Sequence, residues 1–343
     1  MNLKTSGLLL IAAMLLVGPP SRAADDKVAF LSQKLKEVSS FKVRLKAAVL
    51  LGRMADFRAV EPLSEALDDE NYVVRGAAAR ALGNLGHPMA VSAVEPLLDL
   101  VSDEEQFVRK EAKRALGRLA GSKSIDYFIA ALSNDDAGVR LASVHVLATM
   151  NVAEARVAII PALGDNDEEV RAEAIVAIKG LGADELEKVL ELALARQDNY
   201  QVQATAAQLA GEMKVTAVMD KLADLLVKDD VVPEVKREAS ESLANMKDQL
   251  DISKQVALLE SEDQSKRDQA IKLLGIHGGH EAVDALMALL RNDDQFVRRR
   301  AVIALGDAGD PRSIPALEFL LKKEEDQRLK QQIERTLRKI KPR

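Results

Sequence analysis

Small and apolar residues recur along this chain with two nested spacings. Within a block they fall three, seven and ten positions after a polar origin residue, and the block returns after roughly 31 residues. The origins are Arg44, Arg75, Arg109, Arg140, Arg171, Gln203, Lys236, Arg267 and Arg298. Three positions on stand Ala47, Ala78, Ala112, Ser143, Ala174, Ala206, Ala239, Ala270 and Ala301. Seven positions on stand Leu51, Leu82, Leu116, Leu147, Ile178, Ala210, Leu243, Leu274 and Leu305. Such offsets share one face of an α-helix, and nothing alternates with the period of a strand. The small residue admits a close neighbour, and the large one fills the space beyond it.

The start of each helix is written four residues before the origin. Ser40, Asn71, Asp136, Asp167, Asn199, Asp263 and Asp294 stand there, side chains that accept from the free amides of a first helical turn. Glu105 is a poorer cap, and Val232 is followed by Pro233, which suits the first helical position. Glycines near the helix end, such as Gly52, Gly83 and Gly211, predict close packing or an early stop. A second helix follows each first one, as in Ala59–Leu67 and Ser313–Leu321. One such pair cannot bury its own apolar face, so neighbours must stack.

The phrase Asp/Asn, Val-Arg, Ala, Leu-Gly, then a leucine-rich second helix resembles HEAT repeats of the short type first described in phycobilin lyases. The resemblance covers residues 41–326 in nine copies. It implies an all-α fold, an α–α superhelix of the armadillo/HEAT kind. It also implies a ladder of acid–arginine pairs between repeats, placed on Arg75, Asp136/Arg140, Asp167/Arg171 and Asp294/Arg298. Gln203 and Lys236 depart from the pattern and weaken the ladder over residues 199–240.

The ends read differently. Residues 1–23 have the form of a secretory signal peptide: Lys4, an apolar run from Leu8 to Val17, the helix-breaking Gly18-Pro19-Pro20, and Ser21-Arg22-Ala23 before a cleavage point. The run is too short for a membrane span. Export to the periplasm or beyond is therefore expected, with no integral membrane segment after cleavage. Residues 24–40 predict an N-terminal capping helix, with Val28, Leu31, Leu35 and Val38 on one side. Residues 327–343 predict a C-terminal one, with Leu329, Ile333, Leu337 and Ile340 inward and a basic outer side.

Composition narrows the chemistry. Among 343 residues there is no cysteine, which removes disulfides, thiolate metal sites and thiol catalysis. Net charge is −6, and loss of the leader, with Lys4, Arg22 and no acid, deepens it by two charges. That balance argues against nucleic acid and anionic lipid as partners. The histidines His87, His145, His277 and His280 fall at unrelated repeat positions. His280-Glu281 is the one His-Glu pair, whereas the HEAT-repeat enzyme deoxyhypusine hydroxylase, similar in plan, uses several around iron. A single pair supplies too few ligands, so no metal and no cofactor is expected.

These readings lead to a non-catalytic scaffold of the cell envelope, a monomer that grips another protein along the concave face of stacked second helices. The lining expected there is acidic: Glu61, Glu65, Glu95, Asp126, Glu187, Asp220 and Glu318. The rival class is an enzyme related to HEAT-repeat lyases or hydroxylases.

Overall fold

The computed structural model describes residues 22–36 and 40–341, and every regular element among them is helical. The expected leader lies outside the described residues, except for Arg22 and Ala23, which open the first helix. The described chain forms two compact units that meet in sequence at Ile159 and Ile160. The division falls inside the second helix of the fourth repeat, where Ala153–Ile159 gives way to a 3-10 turn over Ile160–Gly164. Pro161, which has no N–H to donate, sits in that turn.

The first unit contains α1 (Arg22–Leu35), α2 (Phe41–Leu51), α3 (Val60–Glu65), α4 (Tyr72–Leu85), α5 (Val94–Asp99), α6 (Gln106–Leu119), α7 (Ile125–Ala131), α8 (Ala137–Thr149) and α9 (Ala153–Ile159). Even-numbered helices from α2 are first helices of repeats, and odd-numbered ones from α3 are second helices. First helices pack side by side, α2 on α4 and α4 on α6, and each second helix packs on the first helix of the next repeat, α3 on α4, α5 on α6 and α7 on α8. Helix α1 lies against α2 and α3 and buries Val28, Leu31 and Leu35. It ends at Leu35, short of the expected Ser40.

The second unit contains α10 (Glu168–Lys179), α11 (Ala183–Leu194), α12 (Tyr200–Glu212), α13 (Met219–Val227), α14 (Pro233–Asn245), α15 (Ile252–Leu258), α16 (Gln264–His277), α17 (His280–Ala288), α18 (Gln295–Ala308), α19 (Ile314–Lys323) and α20 (Gln327–Ile340). Here too first helices adjoin, α12 on α14, α16 on α18 and α18 on α20. Helix α20 keeps the register of a first helix. Asp326 caps it by accepting from the Leu329 amide at 2.7 Å, and Leu329, Ile333, Leu337 and Ile340 join one core with α16, α17 and α18.

The face at offsets three and seven is buried in all nine repeats, from Ala47 and Leu51 to Ala301 and Leu305. Close approach of first helices has a visible cause. A methyl placed on Gly52 would stand 2.7 Å from the Cα of Ala81, on Gly83 2.8 Å from that of Ala115, and on Gly211 2.6 Å from that of Ser242. Each glycine stands eight positions after its origin and receives the residue six positions after the next. Gly117, in the same register, has open space beside it. Six of the seven expected caps, from Asn71 to Asp294, accept from first-turn amides, whereas Ser40 makes no such bond.

Candidate functional site

Second helices share a short pattern at their start: Val60-Glu61-Pro62-Leu63, Val94-Glu95-Pro96-Leu97, Ile125-Asp126-Tyr127-Phe128. The apolar residues at its first and fourth places are buried beneath the first helices. The acid at its second place is carried outward, in the first helical turn, where the positive end of the helix dipole favours a carboxylate. Glu61, Glu95 and Asp126 are therefore exposed and in register on three second helices of one unit. None of the three has a hydrogen-bonded or ionic partner among the described residues. Asp68 and Asp99 extend the same flank. Burial, then the charges of Glu95 and Asp68, push the Asp99 carboxyl above its ordinary value.

The other expected lining residues are placed differently. Glu65 pairs at 2.6 Å with Lys36, in the turn that follows the capping helix. In the second unit Asp220 pairs with Lys254 at 3.4 Å, and Glu318 with Lys341 at 2.8 Å. Glu187 is half-buried in α11, just past its first turn. The unpaired acids thus concentrate in the first unit. The basic outer side expected for α20 is partly engaged, since Lys339 also reaches Asp307 at 3.0 Å.

Rungs between repeats exist, but other acids build them. The cap carboxylates serve their own helices: Asp136 accepts from Val139, Asp167 from Glu169 and Val170, Asp294 from Phe296. Asp136 also takes the Ser102 hydroxyl at 2.7 Å, the first cause of its lowered pKa, with the Arg140 charge a lesser one. The origin arginine instead spans two turns. One Nη1 donates back to the carbonyl six residues earlier, as Arg75 does to Asp69, Arg140 to Asn134, Arg171 to Asp165 and Arg298 to Asn292. The rest of the guanidinium reaches forward to an acid two residues before the next cap: Arg44 to Asp69, Arg75 to Asp103, Arg298 to Glu324. Burial pushes the Asp103 carboxyl up, but Arg75 and the Glu105 amide outweigh it and hold it below its ordinary value.

Two cavities were not foreseen from the sequence. One, of ≈ 430 Å³, lies between α4 and α6 and is lined by Arg80, Asn84, Glu111, Arg114, Ala115 and Arg118. Glu111, 4 % exposed, takes Arg80 at 2.9 Å and Arg114 at 3.3 Å, and Arg118 reaches Asn84. The other, of ≈ 340 Å³, opens beside Gln203. Both arise between repeats, which single-repeat periodicity does not describe.

The histidines remain apart. His145 and His280 are exposed, His277 accepts from the Gly279 amide at 3.1 Å, and the His87 ring lies against Gly121 with its Nε2 buried. Among the described residues no three histidine or carboxylate side chains gather as they would around a metal ion. No helix among them is long and apolar enough to cross a membrane.

Comparison with known proteins follows this architecture. The sequence pattern of the HEAT repeats family matches residues 28–99, 90–148, 125–195 and 252–338. The stretch between the last two matches holds Gln203 and Lys236. No curated protein matches. Among solved structures, an engineered protein is 23% identical, covering 92% of this chain and 98% of its own, with a TM-score of 0.32. Human deoxyhypusine hydroxylase in complex with glycerol is 18% identical over 84% of this chain and 98% of its own, TM-score 0.31. The Kap95p complex with RanGDP aligns at 14% identity over 92% of this chain and 51% of the matched chain, TM-score 0.41.

Proposed function

Because the chain belongs to the HEAT repeats family, an all-α superhelix built by stacking helical hairpins, we propose that it is a non-catalytic scaffold that grips another protein along its second helices. The observation that carries this reading is the row of Glu61, Glu95 and Asp126: three exposed carboxylates, in register on three second helices, without cationic partners among the described residues. Their repulsion is relieved when a basic protein surface covers them, and the flank around them offers the exposed rings of Phe57 and Tyr127 for contact. The partner that fits is a protein with a basic or mixed face. The signal-peptide form of residues 1–23 supports a place in the cell envelope.

The test is capture from envelope extracts with the full chain as bait. One stoichiometric partner is expected, released by salt and absent when Glu61, Glu95 and Asp126 are all changed to lysine. Equal capture by that folded variant overturns the reading. Stoichiometric iron in the purified protein, lost on His280→Ala, would instead establish the rival hydroxylase-like activity. A mature N-terminus at Ala24 and a monomeric mass in sedimentation test export and oligomeric state.

A further inference from the structure

Repeats 2 and 9 show what an origin arginine does: it spans from a carbonyl six residues earlier to a carboxylate two residues before the next cap. In repeat 2, Arg75 has the Asp69 carbonyl at 3.0 Å behind it and the Asp103 carboxylate at 2.8 and 3.0 Å ahead. Repeat 6 keeps both ends of that arrangement and lacks the arginine. The register of Asp69 falls on Gln197, that of Asp103 on Asp230, and the origin is Gln203.

Gln203 does not replace the missing span. It is 6 % exposed, and its amide turns away to donate to the Leu194 carbonyl at 2.9 Å. What is left is the cavity of ≈ 340 Å³, and Gln197, Gln203 and Asp230 all line it. Among the described residues Asp230 has no hydrogen bond or ion pair, and Lys228 on the same rim does not reach it. Leu194 and Leu225 supply an apolar wall for an aliphatic stem. Tyr200, 45% exposed, offers a ring face at the mouth, where a guanidinium stacks well.

We propose that this cavity is a receptor for an arginine side chain of the bound protein, which inserts its guanidinium between Asp230 and the Gln197 carbonyl and so completes the missing rung. The planar fork of arginine suits a carboxylate on one side and a carbonyl on the other, whereas a lysine ammonium is a point charge without that match. The source is a peptide arginine, which rests on the protein-binding reading above. The slot itself can be tested without the partner.

The experiment uses the full chain and three probes: N-acetyl-arginine methylamide, N-acetyl-lysine methylamide and free arginine, titrated while the backbone amides of residues 228–232 are followed by NMR. The capped arginine is expected to saturate these shifts, with the lysine probe weaker by about tenfold, the order expected for losing a charge-assisted fork. Asp230→Asn, at an exposed side chain that supports nothing else, is expected to abolish the response. Gln203→Arg is expected to fill the cavity from within, abolishing probe binding while raising the melting temperature. Should that variant misfold, Asp230→Asn still decides. No shift with the capped arginine, equal binding of lysine, or an unchanged response in Asp230→Asn overturns the slot. Free arginine binding about tenfold tighter than the capped form overturns the peptide source. Capture of a partner that survives Asp230→Asn but not the triple lysine variant separates failure of the slot from failure of the scaffold reading.

Discussion

The Arg44 guanidinium clasps the Asp69 carboxylate through Nε at 2.6 Å and Nη2 at 2.9 Å, and the same carboxylate accepts the Asn71 amide that opens the next first helix. One acid thus joins two repeats and starts the second of them. The side chains are 7% and 8% exposed, so each partner depends on the other for its solvation. Arg44→Met is expected to cost about 3 kcal/mol, because it leaves the Asp69 carboxylate buried without a counterion, and Asp69→Ala less, because Arg44 keeps Glu70 at 3.0 Å. The double variant is expected to cost clearly less than the two singles together. Urea unfolding of all four proteins measures this, and strict additivity would show that the two side chains do not act as a unit.

Gly211 allows α12 to touch α14. A Cβ there would stand 2.6 Å from the Cα of Ser242, whose hydroxyl donates to the Ala207 carbonyl at 2.6 Å. Backbone cannot yield as a flexible side chain can, so Gly211→Ala is expected to destabilise by about 2 kcal/mol through overpacking. Gly117→Ala, at the same repeat position with nothing within 4 Å, is expected to be neutral or stabilising. Thermal melts of the two variants side by side would expose the argument if they moved together.

Acid weakens the first unit through a known carboxylate. The Arg80 hydrogen bond is the first cause holding Glu111 below its ordinary value, burial opposes it, and Arg114 assists. A lowered pKa stabilises the fold above the ordinary glutamate value of 4.5, and that contribution is lost as pH falls below it. Asp103 of the same unit is lowered as well and adds to that acid limb, and the lowered Glu324 gives the second unit a like dependence. Stability followed against pH is expected to fall from the ordinary carboxylate range downward. Arg80→Ala should lower stability above that range and make the fall below it shallower; an equally steep fall in that variant would assign the acid limb elsewhere.

Removal of residues 327–343 takes away α20 and uncovers the core it closes. Ile333 is fully buried and Leu329, Leu337 and Ile340 nearly so, against Leu305 and Val302 of α18. Loss of such packing exposes apolar surface worth about 1.5–3 kcal/mol for each large side chain. The shortened chain is expected to melt earlier and to bind a hydrophobic dye. An unchanged melt would mean that α20 is only docked on the surface.

What periodicity could reveal, it revealed. Ala78 and Leu82, or Ala270 and Leu274, are buried because offsets three and seven are fixed within a single helix by local geometry alone. The tenth offset was less secure. Leu119 and Met246 are buried there, but Met54, Leu181 and Ala308 are only partly covered, since that position already lies where the chain leaves the helix. The rungs were harder to read. Arg44 meets an acid 25 residues on, Arg75 one 28 residues on and Arg298 one 26 residues on, because second helices and their turns differ in length. A cap such as Asp136 stands at constant sequence distance from its arginine, so periodicity points to the cap and not to the rung. The acidic row was legible as charge, yet which of its members remain unpaired depends on Lys36, Lys254 and Lys341, far away in sequence.

The way first helices nest on glycine has a bearing on whatever docks opposite. Adjoining helices keep their axes about 8–10 Å apart, so Glu61, Glu95 and Asp126 act as a ruler with that graduation. A strand advances about 3.3 Å per residue. An extended segment laid across the marks would meet them with every third side chain, and a cationic ligand with any other beat would fall out of step after the first contact.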